Sequence, residues 1–273
     1  MRGAIIQPGS GRPSGAHVVP DPQDYTLHWL YRAVLDLLFP PRCLVCRDFG
    51  PQVICDTCRQ AVRRIAEPQC HICGLPFDPE AKAGDVCAEC RETRPRFAMG
   101  RAYGYYEGAL RDAICRLKYD RKPALGPPLG RALAACFAGA GDDGQGLPSD
   151  IEVICPVPLH AHRLRERGFN QSEVISRHLG QALGVASEPL LVRTRITAPQ
   201  VGLPYRKREE NVRGAFAVSP GAQVRGRRIL VIDDVWTTGA TLRECARVLR
   251  RAGAAEVFLL AVARAVSRPI EEA

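Results

Sequence analysis

The sequence contains no apolar run long enough to cross a bilayer. Its longest hydrophobic stretches fall well short of the roughly 18 residues a spanning helix needs, so no transmembrane segment is predicted. Residues 1–24 lack an apolar centre between their Gly, Pro and Ser residues, which predicts a disordered tail rather than a secretory signal. Without an export signal the expected compartment is the reducing cytoplasm, where disulfides do not persist. No long-period repeat is present beyond two similar halves within one cysteine-rich stretch. Acidic residues are in deficit: 29 Asp and Glu against 38 Lys and Arg leave a formal charge of +9. That balance suits an anionic partner such as nucleic acid, phosphate or pyrophosphate. The Arg-rich codon usage of a GC-rich genome would give the same balance.

What is present falls into three parts. After the tail, residues 25–39 carry apolar side chains at helical spacing, and Pro40-Pro41 stops that helix. Residues 43–90 hold eight of the 12 cysteines and too few apolar residues to build a core unaided. From residue 98 strand and helix patterns alternate. Strands are predicted at 100–106, 151–156, 190–193, 215–218, 228–233 and 257–262. Helices are predicted at 107–118, 129–138, 171–183 and 240–252, with connectors at 123–128, 139–150 and 194–213. This alternation predicts an α/β domain with a mainly parallel sheet. The expected division is a tail over 1–24, a helix and cysteine module over 25–97, and an α/β domain over 98–273.

The cysteines form four CxxC pairs: Cys43/Cys46, Cys55/Cys58, Cys70/Cys73 and Cys87/Cys90. Each pair makes a knuckle that aims two thiolates at one point, and two knuckles close a tetrahedral S4 site that Zn2+ fills. Two zinc ions are expected, with pairing in sequence order or interleaved. Iron–sulfur binding and thiol redox chemistry compete for such a set, and zinc is favoured. Four thiolates leave no open position, so the role is structural. His71 sits inside a knuckle but adds nothing to a complete site. Cys115, Cys136, Cys155 and Cys245 are expected to be small buried hydrophobes.

The segment from Val231 to Leu242, VIDDVWTTGATL, places two carboxylates at the end of an apolar strand and hydroxyls plus a glycine at a helix start. A helix start offers free backbone N–H groups and the positive end of its dipole. Gly239 allows close backbone approach, and Thr237, Thr238 and Thr241 add hydroxyls. Together with Ala240 these make a phosphate cradle. Asp233 and Asp234 would face the crevice beyond the strand ends, where open α/β sheets bind ligands. Upstream, Cys155-Pro-Val-Pro-Leu-His160 leads into Arg163, Arg165 and Arg167 ahead of Gly-Phe-Asn-Gln171. Guanidinium groups there can grip phosphate oxygens in bidentate fashion. The polar connector 194–213, with Gln200, Arg206, Lys207, Arg208, Asn211 and Arg213, is long enough to serve as a lid.

The 231–242 segment resembles the signature of type I phosphoribosyltransferases, which bind 5-phosphoribosyl-1-pyrophosphate (PRPP). The resemblance implies that Asp233 and Asp234 address the ribose hydroxyls and that residues 237–241 hold the 5-phosphate. It also places Arg163 and Arg167 near the pyrophosphate and makes 194–213 the flexible hood. Leu117-Lys-Tyr119, Pro156-Val-Pro-Leu159, Arg167-Gly-Phe-Asn-Gln171, Asn211-Val-Arg-Gly-Ala-Phe216 and Asp233–Thr241 follow one another in the order found in the ComF family. Trp236 departs from the phosphoribosyltransferase pattern, where a smaller residue is frequent. Family members join a double zinc ribbon to a type I phosphoribosyltransferase domain, and some are associated with DNA uptake in competence. The resemblance therefore implies PRPP bound with Mg2+, transfer of the phosphoribosyl group to an acceptor that no motif identifies, and structural zinc. A nucleic-acid-handling protein that uses the fold as a ligand-binding scaffold is the alternative, with single-stranded DNA and competence-machinery proteins as partners. A zinc-stabilised adaptor is a third reading, which leaves the C-terminal half unexplained.

Overall fold

In a computed structural model the chain divides into two compact units, Met1–Pro41 and Arg42–Ala273. The residues described are 35, 37–82, 84–137, 146–197 and 205–266. The predicted tail, most of the predicted helix 25–39, residues 139–145 of the predicted connector and Gln200 lie outside them.

Within the second unit the strands are β1 (Met99–Tyr105), β2 (Val153–Pro156), β3 (Leu191–Arg193), β4 (Phe216–Val218), β5 (Arg228–Trp236) and β6 (Glu256–Arg264). Four of them form a parallel sheet in the order β1-β6-β5-β2. Strands β3 and β4 pair antiparallel as a separate ribbon. The helices are α1 (Asp56–Gln60), α2 (Ala88–Thr93), α3 (Gly108–Tyr119), α4 (Gly126–Leu133), α5 (Ala161–Arg167), α6 (Gln171–Leu183), α7 (Tyr205–Val212) and α8 (Ala240–Arg251).

The central strands read as near-continuous apolar runs because helices cover both faces of the sheet. Alternate residues divide between two cores. Ile229, Val231, Val257, Leu259 and Ala261 share one core with Leu242, Cys245, Ala246 and Leu249 of α8. Leu230, Ile232, Phe258, Leu260 and Val262 share the other with Leu110, Ile114 and Leu117 of α3 and Ile175 and Leu179 of α6. On α3 and α8 the buried positions recur at i, i+3, i+4 and i+7, the spacing of one helical face. The sheet and its flanking helices are those of the predicted α/β class.

Several boundaries differ from the sequence expectation. Residues 123–128 were expected as a connector, yet α4 begins at Gly126. Pro127 and Pro128 stand in its first turn, where their missing N–H groups cost nothing. The predicted strand 228–233 runs on to Trp236, so both aspartates lie inside it. The Arg-rich stretch after Pro158 is the short helix α5, capped by His160 and ended by Gly168 in the left-handed region. Residues 205–212 form α7 within the stretch expected to be an open connector. Its charged, weakly periodic sequence hides a helix held by its neighbours. Cys155 and Cys245 are buried as expected, whereas Cys115 and Cys136 are only half-buried.

Candidate ligand site and paired cysteine tetrads

A cavity of about 930 Å³ opens beyond the carboxyl ends of the parallel strands. Asp233, Asp234, Thr237, Gly239, Ala240 and Thr241 line it, with Arg163 and Arg167 on another wall. Thus the acid pair and the start of α8 face one space. Arg163 and Arg167 are one helical turn apart on α5 and half-buried, while Arg165 between them is exposed. Thr238 does not line the cavity. Its hydroxyl oxygen accepts from the Ala240 N–H at 3.4 Å. Of the expected lid residues, Arg208 reaches the cavity wall.

The two aspartates have different surroundings because successive strand residues point to opposite faces. Asp234 is 4% exposed, and its Oδ1 receives the Lys118 ammonium at 2.6 Å. Its Oδ2 is buried with no hydrogen-bond partner among the described residues. Such an orphaned acceptor costs about 1–3 kcal/mol unless a bound group satisfies it. Burial pulls the Lys118 ammonium downward, but the carboxylate beside it outweighs burial and raises its pKa. Asp233 accepts from the Ser172 hydroxyl at 3.1 Å and from the Asp234 N–H at 2.9 Å. Burial first, and the Asp234 charge second, lift the Asp233 carboxyl to about 7.

Lys118 was legible only as part of the Leu-Lys-Tyr motif, with no role attached. Arg193 carried no sequence signal. It ends β3, lines the cavity, and keeps a buried Nε with no partner among the described residues. Trp236 is 1% exposed and stands edge-on to Phe97. Gly239 has φ +78°, and a Cβ there would stand 2.5 Å from the indole Nε1. The glycine is therefore required by the tryptophan beneath it as well as by the turn.

The cysteines gather in sequence order. Cys43, Cys46, Cys55 and Cys58 form one tetrad, and Cys70, Cys73, Cys87 and Cys90 the other, with the ligand atoms of each within 4.8 Å of one another. Sulfur–sulfur spacings are 3.9 Å for Cys43–Cys58, 3.6 Å for Cys46–Cys55 and 3.8 Å for Cys73–Cys87. A tetrahedral centre with bonds near 2.3 Å requires about 3.8 Å, so both sets fit zinc. Backbone N–H groups of Val45 and Cys55 point at Cys43 Sγ, and those of Cys73 and Cys87 at Cys70 Sγ. Burial opposes ionisation of Cys43, yet the backbone N–H groups of Cys55, Cys46 and Val45 and the Cys46 thiol bring its thiol down to about 6. The tetrads fit the structural, closed type of zinc site.

Residues 34–94 match the double zinc ribbon domain family, and residues 175–272 match the phosphoribosyl transferase domain family. Competence protein F of Haemophilus influenzae is 30% identical over 82% of this chain and 97% of its own length. DNA utilization protein YhgH of Escherichia coli is 33% identical over 84% of this chain and 99% of its own length. The chain belongs to the ComF family. A more distant ComF relative, competence protein ComFC of Bacillus subtilis, is 26% identical over 74% of this chain and 80% of its own length. Among solved structures, glutamine PRPP amidotransferase from B. subtilis aligns with 54% of this chain and 30% of its own, at 21% identity and a TM-score of 0.36. No helix among the described residues is long and apolar enough to cross a membrane.

Proposed function

We propose that this ComF protein binds PRPP with Mg2+ in the 930 Å³ cavity and transfers its phosphoribosyl group to an acceptor in the cytoplasm. In this reading residues 25–97 form the helix and double ribbon module, and 98–273 the transferase-like domain. The unsatisfied buried Asp234 Oδ2, beside an open helix start, carries the reading. It has no use in a mere scaffold, and a sugar hydroxyl can donate to it.

Asp233 and Asp234 would accept from the ribose hydroxyls. Lys118 holds Asp234 in place and balances its charge. The start of α8 and the side chains of Thr237 and Thr241, with Gly239 and Ala240, would hold the 5-phosphate against the helix dipole, while Thr238 shapes the turn through its contact with the Ala240 N–H. Arg163 and Arg167 would grip the pyrophosphate oxygens. Mg2+, when bound with PRPP, would supply charge neutralisation on pyrophosphate and sugar oxygens. In the transfer, the bond from C1 to the pyrophosphate oxygen breaks and its electron pair leaves with pyrophosphate. A lone pair of the acceptor forms the new bond at C1, and the acceptor's proton passes to water. Fixed cations that face the leaving group would supply most of the rate.

Titration calorimetry with PRPP and Mg2+ tests this. Heat is expected for the wild type and none for Asp233→Asn/Asp234→Asn. A silent wild type ends the reading.

The names of the relatives favour a second one, in which the fold serves DNA handling and the partners are single-stranded DNA and competence-machinery proteins. Binding of single-stranded DNA that steepens as salt is lowered would support it, because phosphate contacts release counterions. Affinity indifferent to salt would count against it.

A further inference from the structure

Two arginines join the second cysteine tetrad to the loop that starts α8. Arg264 is 5% exposed at the end of β6. It donates to the Cys73 carbonyl at 2.5 Å and lies 3.7 Å from Cys73 Sγ. Its guanidinium also stacks on Trp236 at 4.6 Å. The far edge of that indole fills the space over Gly100, where a Cβ would meet Cη2 at 2.5 Å. Its near edge supports Gly239 from below. Gly100 in turn donates its N–H to the Ile72 carbonyl, inside the Cys70/Cys73 knuckle, at 2.7 Å.

The other path runs through α2, which carries Cys90. Glu89 receives Arg243 at 2.5 Å, and the same guanidinium donates to the Thr238 carbonyl at 2.7 Å. A third contact from Arg243 reaches Glu209 of α7 at 3.0 Å. One side chain therefore fixes the ribbon helix, the nest backbone and the segment expected to act as the hood.

We propose that Arg264 and Arg243 are positioning residues, through which the metal-filled second tetrad holds the Thr237–Thr241 backbone in its anion-receiving shape. Removing the second metal frees the Cys73 knuckle and α2. Trp236 then loses its clamp, and the Thr238 carbonyl its fixed donor. The first tetrad has no such part. The affinity readout rests on the PRPP reading, and the emission readout does not.

The chain has two tryptophans, Trp29 and Trp236. The test uses the full chain with Trp29→Phe, so that Trp236 is the sole tryptophan emitter. Metal content, Trp236 emission and PRPP affinity with Mg2+ are measured for Arg264→Met, Arg264→Lys, Arg243→Met and Cys46→Ser. Arg264→Met should keep two zinc per chain, shift emission to the red and weaken PRPP at least tenfold. Arg264→Lys should recover part of both, and Arg243→Met should weaken PRPP several-fold. Cys46→Ser should lose one zinc and leave emission and affinity within twofold. A folded, zinc-replete Arg264→Met with wild-type emission and affinity overturns the proposal. So does a Cys46→Ser protein that loses PRPP binding. Should Arg264→Met fail to fold, Arg243→Met at wild-type affinity overturns it. Should the wild type bind no PRPP, the emission decides: chelation of the second zinc must shift Trp236, and an unmoved spectrum refutes the coupling.

Discussion

The two cysteine tetrads have the same chemistry and opposite placements. Cys43 and Cys58 of the first belong to the core shared with α3 and α4, while Cys46 is exposed and Cys55 half-buried. All four cysteines of the second are buried, in the core shared with α8 on the other face of the sheet. The first is attached through the chain that follows it. Arg63 and Tyr103 carbonyls accept from Tyr105 and Ile65 along β1. The second is attached through side chains that end at the candidate phosphate loop. Identical ligand sets are thus placed for different work: one at a partly exposed knuckle, the other tied to the floor of a cavity.

Removing one sulfur from each site should give the largest contrast. Cys70→Ser breaks a fully buried centre whose sulfur collects two backbone N–H groups, and loss of a structural zinc site removes folding energy outright. It should lose the second zinc and cost roughly 3 kcal/mol or more, with a tail toward failure to fold. Cys46→Ser lies at the exposed corner of the first site and should cost less than half as much. Thermal melts together with zinc release by a chromogenic chelator decide the point. Equal losses at the two sites would remove the distinction.

Strand β1 offers a finer contrast, because it carries one glycine under each ribbon. A Cβ on Gly100 would meet the Trp236 ring at 2.5 Å, whereas one on Gly104 would meet the Arg63 carbonyl at 2.8 Å and Leu110 at 2.9 Å. Overpacking of this kind costs about 1–3 kcal/mol at either position. Both Gly100→Ala and Gly104→Ala should therefore melt several degrees early. Only Gly100→Ala should also weaken PRPP, by tenfold or so. If binding falls with stability in both proteins, the phosphate loop is not specifically seated on Trp236.

Much of this arrangement was legible in the sequence, and what was not has a physical reason. CxxC spacing announces metal because a knuckle is local: the geometry lies within four residues. The alternation of strand and helix patterns announced a mainly parallel sheet, and the DD-x-x-TTG segment announced a carboxylate pair beside a helix start. Lys118, Arg243 and Arg264 were invisible as site residues because their partners lie far along the chain. Arg264 meets Cys73 across 191 residues, and Arg243 meets Glu89 across 154. Periodicity cannot report such pairs. Gly239 was read as room for an anion, and the tryptophan packed under it emerged only from the fold. Helix α7 was missed because its sequence has almost no apolar face to reveal it.

The smallest expected effect separates structural coupling from electrostatic coupling. Asp233 titrates near 7 in the folded protein because of burial and the neighbouring Asp234 charge, and neither cause comes from a ribbon. In the unfolded chain an aspartate titrates near 3.9. Between those values the folded state holds the extra proton, so stability falls as pH rises from about 4 to about 7 and then levels. Asp233→Asn should remove this slope, so its stability relative to wild type grows as pH rises across the window. Arg264→Met should keep the wild-type slope while sitting lower at every pH, because it displaces the nest without altering what surrounds Asp233. Denaturant melts at half-unit pH steps provide the comparison. A slope that vanishes in Arg264→Met would mean that the second ribbon acts on the acid pair through charge, rather than on the phosphate loop through shape.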